Sequence, residues 1–183
     1  MSARETEAGG PAEAVEATTE RREAGSVHIS LDELAGALAA AFDGELTDIR
    51  LQEPVTVVAG LDRKKLVEVV GRLHDFEPAP FDCLNFIAAV DYVTHLECIY
   101  HLFSLPASLW LELHVTVPRA NPIVDTVTTV WPGADWHERE AWDMMGVRFT
   151  GHPDLRRILL KDDWVGHPLR KDYADTIQNH PYV

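Results

Sequence analysis

From Leu109 to Val117 the chain alternates almost without fault. Leu109, Leu111, Leu113, Val115 and Val117 fall on one side, and Trp110, Glu112, His114 and Thr116 on the other. A period of two is the repeat of a strand with one face on a core and the other toward solvent or a partner. Residues 95–103 repeat the pattern, with Leu96, Cys98, Tyr100 and Leu102 on one face. Residues 83–90 form a nearly continuous apolar run, and Ser104 to Ser108 supply a hairpin turn between the last two strands.

Upstream the period lengthens. Leu31, Leu34, Leu38 and Phe42 recur at helical spacing behind a Ser30/Glu33 capping box, which predicts a helix of about three turns. Asp62 caps a second predicted helix with Leu66, Val69, Val70 and Leu73 on one side. Residues 46–52 and 55–59 read as short strands, joined as a hairpin around Glu53 and Pro54. The expected architecture of residues 27–118 is α+β: an antiparallel sheet with helices packed on one face. Residues 1–26, rich in Ala, Glu, Thr and Gly, read as a disordered acidic tail.

After Pro118 the character changes, with further prolines at 122, 132, 153, 168 and 181. Residues 119–150 hold one clear helical stretch, within "WPGADWHEREAWDMMGVRF" (131–149). Asp135 is its expected cap, with Glu138 at the third helical position and Gly146 as the left-handed stop. Ala134, Ala141, Trp142, Met144 and Met145 share one broad arc; Arg139, Glu140 and Asp143 lie opposite. His137-Glu138 opens like a zincin HExxH, but Ala141 stands where the second imidazole belongs. Glu138, on the apolar arc, reads equally as a cap or as half of a buried ion pair.

Residues 151–183 have few apolar positions in any regular period, and a long irregular segment of this kind is either disordered or held against something else. They nearly repeat themselves. Gly151-His152-Pro153 returns as Gly166-His167-Pro168, and each copy leads to a leucine and two basic residues: Arg156 and Arg157, then Arg170 and Lys171. Proline stiffens each bend. Asp154, Asp162, Asp163 and Asp172 stand among the cations, and such mixed charge suits protein–protein ion pairs better than a phosphate cradle.

Composition narrows the function classes. A formal charge of −14 argues against nucleic acid or an anionic membrane surface as the direct partner. Two cysteines, Cys83 and Cys98, cannot build a four-cysteine zinc or iron–sulfur site, and both sit in apolar stretches as small buried hydrophobes do. There is no phosphate-binding glycine loop, and no catalytic triad is defensible from spacing. No stretch approaches the roughly 20 apolar residues of a membrane span, and the N-terminus lacks a signal-peptide core, so the expectation is a cytosolic protein without membrane insertion.

The stretches "ADWHEREAWDMMGVRFTGHPDLRRILL" and "DDWVGHPLRKDY", preceded by "AAVDYVTHLECIYHLFSL" and "LWLELHVTVPRANP", resemble the C subunit of the bacterial respiratory NADH–quinone oxidoreductase, complex I. The resemblance runs from about residue 84 to 173, with Met145 in place of a usual aromatic and Asp125 in place of a common proline. It implies a non-redox structural subunit on the cytoplasmic side of the cell membrane, in the peripheral arm, beside the D subunit of the quinone site with the B and I subunits nearby. It implies no catalytic, cofactor or metal residue in this chain; NADH, FMN, iron–sulfur clusters and quinone are handled by other subunits. Residues 151–183 become a docking segment. The residues expected to meet the partner are Glu138, Arg139, Glu140 and Asp143 on the helix, then His152, Asp154, Arg156 and Arg157, then His167, Arg170, Lys171 and Asp172. The competing readings are the equivalent subunit of a ferredoxin- or F420-linked dehydrogenase or membrane-bound hydrogenase, a stand-alone metal-dependent hydrolase using His137, His152 or His167, and a small regulatory binding module.

Overall fold

The computed structural model describes residues 27–52 and 54–175. The expected acidic tail (1–26), the hairpin corner at Glu53 and the end of the docking segment (176–183) lie outside the described residues.

The first helix, α1 (Leu31–Ala41), starts where the capping box puts it. The Ser30 hydroxyl accepts from the Glu33 amide, and the Glu33 carboxylate accepts from the Ser30 amide at 2.8 Å. Leu34 and Leu38 are fully buried, and Phe42 follows them into the core. Strands β1 (Leu46–Gln52) and β2 (Thr56–Leu61) pair antiparallel. Asp62 caps a short 3-10 turn, Arg63–Lys65, rather than the helix itself, which begins one turn later as α2 (Leu66–His74). Its buried residues are the four that its period predicts: Leu66, Val69, Val70 and Leu73.

Strands β3 (Cys83–Asp91), β4 (His95–Ser104) and β5 (Leu109–Pro118) form an antiparallel meander. The sheet order is β1-β2-β5-β4-β3. One pairing departs from the antiparallel expectation: β2 runs parallel to β5, from Thr56 beside Trp110 to Leu61 beside Val115. The chain between them is long enough for the crossover that parallel neighbours need. Leu96, Cys98, Tyr100 and Leu102 are fully buried with Leu111, Leu113, Val115 and Val117, so the alternation faces the helices as expected. Each such leucine or valine contributes roughly 1.5–3 kcal/mol by burial.

The opposite sheet face is half-buried and partly saturates itself. His101 stacks between Phe86 and Trp110, at ring separations of 4.7 and 4.6 Å. His114 lies between Glu97 and Glu112, at 3.1 and 2.7 Å.

Beyond β5, strand β6 (Ile123–Asp125) pairs parallel with β7 (Arg148–Thr150), and α3 (Ala134–Met145) runs between them. Val124, Val127, Trp131, Val147 and Phe149 join the same hydrophobic core as the sheet and α1, and α3 packs against β3. After Thr150 the described chain has neither helix nor strand.

Candidate functional site

The site is built on α3. Its cap is not Asp135 but Gly133, whose backbone is already helical (φ −64°, ψ −18°) and carries no side-chain bond. The turn at Pro132 and Gly133 bends the chain early, with the amide of Ala134 bonded to Trp131 O at 2.9 Å. Asp135 thus sits inside the first turn, where its carboxylate meets His152 Nε2 at 3.1 Å. The Asp154 amide donates to His152 Nδ1 at 3.0 Å, so the ring proton is on Nε2, facing Asp135.

Glu138 is neither a helix cap nor one half of a simple ion pair. Its fully buried carboxyl accepts from the Val127 amide at 2.7 Å and from the Thr126 hydroxyl, with His152 Nε2 4.0 Å away. Burial pushes its pKa up from an ordinary 4.5 to about 7, against the pull of those two donors.

Arg139 and Asp143 are also buried, although the helical wheel sets them opposite the apolar arc. The reason is that residues 151–173 cover that side of the helix. Asp143 Oδ2 accepts three consecutive amides, those of Ile158, Leu159 and Leu160, at 3.1, 2.9 and 3.0 Å. Asp143 Oδ1 takes Arg157 Nη1 at 2.5 Å. Burial alone pushes this carboxyl up, but the Leu160 and Leu159 amides, Arg157 and the Ile158 amide outweigh it and hold the group below the usual carboxylate range. Arg139 donates to the carbonyls of Arg156 and Arg157 and lies over the Trp136 ring.

The second Gly-His-Pro copy finishes the helix. The last four carbonyls of a helix have no partner within it. Here Trp142 O accepts from the Gly146 amide at 2.8 Å, Asp143 O from His167 Nδ1 at 3.0 Å, Met144 O from the Leu169 amide at 3.1 Å, and Met145 O from Arg170 Nε at 2.7 Å. Arg170 also places positive charge at the negative end of the helix dipole. Gly146 is left-handed (φ +71°), and a Cβ there would lie 2.5 Å from the His167 ring. The two copies therefore clamp the two ends of one helix: His152 at its first turn, His167 at its last. Burial holds His167 below the ordinary histidine range despite the Asp143 carbonyl that favours its charge.

The strap is tied a third time, at the sheet. Asp91 closes β3 and is 4% exposed. It accepts from the Val93 amide, both terminal nitrogens of Arg119 and the Lys171 amide, at 2.7–3.0 Å. Arg119 also meets Asp172 at 2.5 Å. Sequence reasoning missed Asp91, Arg119 and Thr126. The available signal was an apolar strand run ending in an aspartate, which forecasts a charge at the core's edge without naming its partner.

Most of the expected docking charges thus have partners on their own chain. Lys171 is engaged through its main chain, and Arg156 pairs with Asp154 at the surface, at 2.8 Å. Glu140 is exposed. Among the described residues, the large apolar side chains exposed on this part of the molecule are Trp136, Leu159, Val165 and Leu169. Among the described residues no group of three or more His, Cys, Asp or Glu is arranged to hold a metal ion, and no helix is long and apolar enough to cross a membrane.

Comparison with known proteins gives one consistent result. A family model described as the 30 kDa subunit of respiratory-chain NADH dehydrogenase matches residues 59–179. The NADH-quinone oxidoreductase C subunit of Geobacter sulfurreducens is 43% identical over 141 residues, covering 74% of this chain and 85% of the relative. The protein of the same name from Moorella thermoacetica is 48% identical over 129 residues, covering 69% and 86%. Among solved structures, a trypsin-resistant fragment of Nqo5 is similar with a TM-score of 0.55 and 28% identity, over 67% of this chain and 96% of the fragment. A chain of the membrane-bound sulfane sulfur reductase, an archaeal respiratory membrane complex, shares the fold with a TM-score of 0.69 at 19% identity, over 78% of this chain and 85% of that one.

Proposed function

The chain belongs to the family of the 30 kDa subunit of respiratory-chain NADH dehydrogenase, and from that premise we propose that it is a non-redox structural subunit of the peripheral arm of a proton-translocating NADH–quinone oxidoreductase. Its place is on the cytoplasmic side of the membrane, against the D subunit of the quinone site, with the B and I subunits nearby. NADH, FMN, iron–sulfur clusters and quinone are bound by those and other subunits.

The observation that carries the reading is the strap. A segment with no helix or strand is held by α3 at both ends and by Asp91 at its exit. It nevertheless presents Leu159 (62% exposed) and Leu169 (61% exposed) outward, and carries the Arg156–Asp154 pair at its surface. Ordering an irregular segment costs conformational entropy. A surface that is fixed in advance and apolar at its tips binds a partner without that cost falling on the association step. The inward charges (Glu138, Arg139, Asp143, His152, Arg157, His167, Arg170) set the shape of this surface; Glu140, Asp154, Arg156, Lys171 and Asp172 form its rim.

The test is the double change Leu159→Glu with Leu169→Glu. Both side chains are exposed, so the isolated chain should melt as the wild type does, while native gels of membranes should show loss of the chain from the complex and loss of NADH–quinone reductase activity. Normal assembly of this variant would remove the strap from the interface.

A further inference from the structure

The five-stranded sheet has two edges, and they are guarded differently. An open strand edge pairs with any extended chain, and soluble proteins blunt it with charge, proline or a bulge. The β1 edge is blunted: its register shifts between Thr47 and Arg50, Asp48 is left-handed (φ +51°), and Asp48 and Arg50 carry charge. The β3 edge has one register shift, near its start between Leu84 and Phe86. From Phe86 to Val90 it then runs Phe-Ile-Ala-Ala-Val, with no charge and no proline. Among the described residues, the main chain of 84–90 makes no hydrogen bond except within its pairing to β4.

Beside this edge lies a groove of about 350 Å³. Ala88 and Ala89 line it from β3, Ala141, Met144 and Met145 from α3, and Leu169 from the strap. The ionisable groups on it are His137 and the exposed Glu140. The volume suits one or two aliphatic side chains, and methionine walls adapt to their shape.

We propose that the β3 edge is completed in the assembly by an extended segment of another subunit, added as a sixth strand. Main-chain bonds to residues 86–90 hold it, an aliphatic side chain fills the groove, and a lysine or arginine meets Glu140. The charge of the segment follows from the acidic character of this chain, −14 overall, and from Glu140 at the mouth. Strand addition is the mode that uses both features, since the unpaired edge supplies affinity and the adjoining pocket supplies choice of side chain. This rests on the proposed membership of a multisubunit complex, and extends the strap's outward face, with which the groove shares Leu169 and Glu140, to the edge of the sheet.

Hydrogen exchange of the 84–91 peptide, compared between the isolated wild-type chain and the purified complex, tests it. The outward amides of this stretch are expected to exchange at least about tenfold more slowly in the complex. A photo-crosslinking phenylalanine analogue at Phe86 (37% exposed) should join it to a peptide of another protein of the complex that carries Lys or Arg. Glu140→Lys should leave the melting of the isolated chain unchanged and speed exchange of the same peptide in the complex. Unchanged exchange on assembly overturns the inference, as does a crosslink to a second copy of this chain. If the chain does not co-purify with any complex, the proposed function fails, and this inference with it; if it co-purifies with its edge unprotected, only this inference fails.

Discussion

Two buried carboxylates on one helix respond to pH in opposite directions. Glu138 has its pKa raised to about 7, so the folded chain binds more protons there than the unfolded chain between about 4.5 and 7. Stability from this group is full below pH 4.5 and is lost as pH rises through 7, by about 3 kcal/mol. Glu138→Gln keeps an acceptor for the Val127 amide and removes the titration. Urea melts of the variant should therefore show a flatter decline in stability from about pH 5 to 8 than the wild type; parallel profiles would mean that Glu138 is already ionised in the fold. Asp143 is the reverse case. Its pKa is lowered, so its contribution is present above the ordinary carboxylate range and fades as pH falls below it. Asp143→Asn leaves Arg157 buried without its counter-charge and replaces a charged acceptor of three amides. A cost of about 3 kcal/mol at neutral pH is expected, read as a shift in the urea midpoint. A loss within about ±0.5 kcal/mol, the usual range of a surface change, would contradict the buried-pair geometry.

At the scale of elements, Gly146 is where helix and strap meet most closely. Gly146→Ala asks an L residue to adopt φ +71° and sets a methyl against His167 and Arg170. The left-handed backbone alone costs roughly 1–2 kcal/mol, and the displaced ring adds to it. The variant should melt lower and be cut faster by trypsin after Arg156, Arg157 or Arg170, while peptides from β4 and β5 stay protected. Intact trypsin resistance of the strap would show that the cap at Met144 and Met145 survives without glycine. The stop at Gly146 was legible in advance because a left-handed glycine after an amphipathic run is a local signal. So were α1, α2 and the faces of β4 and β5, since each buries one side only and the period records it. The polar arc of α3 was misleading for the same reason. Arg139 and Asp143 are buried on the second side by a segment 14 to 18 residues away, and such contacts leave no period behind. The parallel β2–β5 pairing was equally invisible, because alternation carries no strand direction.

Over the whole molecule, Asp91 joins parts of the chain that share no local sequence: the end of β3, the exit of β5 at Arg119, and the strap at Lys171, 80 residues on. Burial pushes its pKa up, but the Lys171 and Val93 amides and the Arg119 guanidinium outweigh it and keep the carboxylate charged. It also bonds the amide of Val93, a β-branched residue at φ +70°, a conformation that such a side chain adopts only when its surroundings enforce it. Loss of the charge at Asp91 should therefore free the turn at Val93 and the strap at Lys171 together, while the core of α1, α2 and the sheet is left intact. Asp91→Asn is expected to keep the far-ultraviolet circular dichroism and the exchange protection of β4 and β5, yet to speed exchange of the Lys171 amide and weaken incorporation into the membrane complex. Two results separate the alternatives. Faster exchange at Lys171 with normal incorporation would mean that the strap's exit is held by the partner once assembled. Global loss of protection would make Asp91 a determinant of the sheet itself, and the strap would then be a consequence of the fold rather than a separately tethered docking surface.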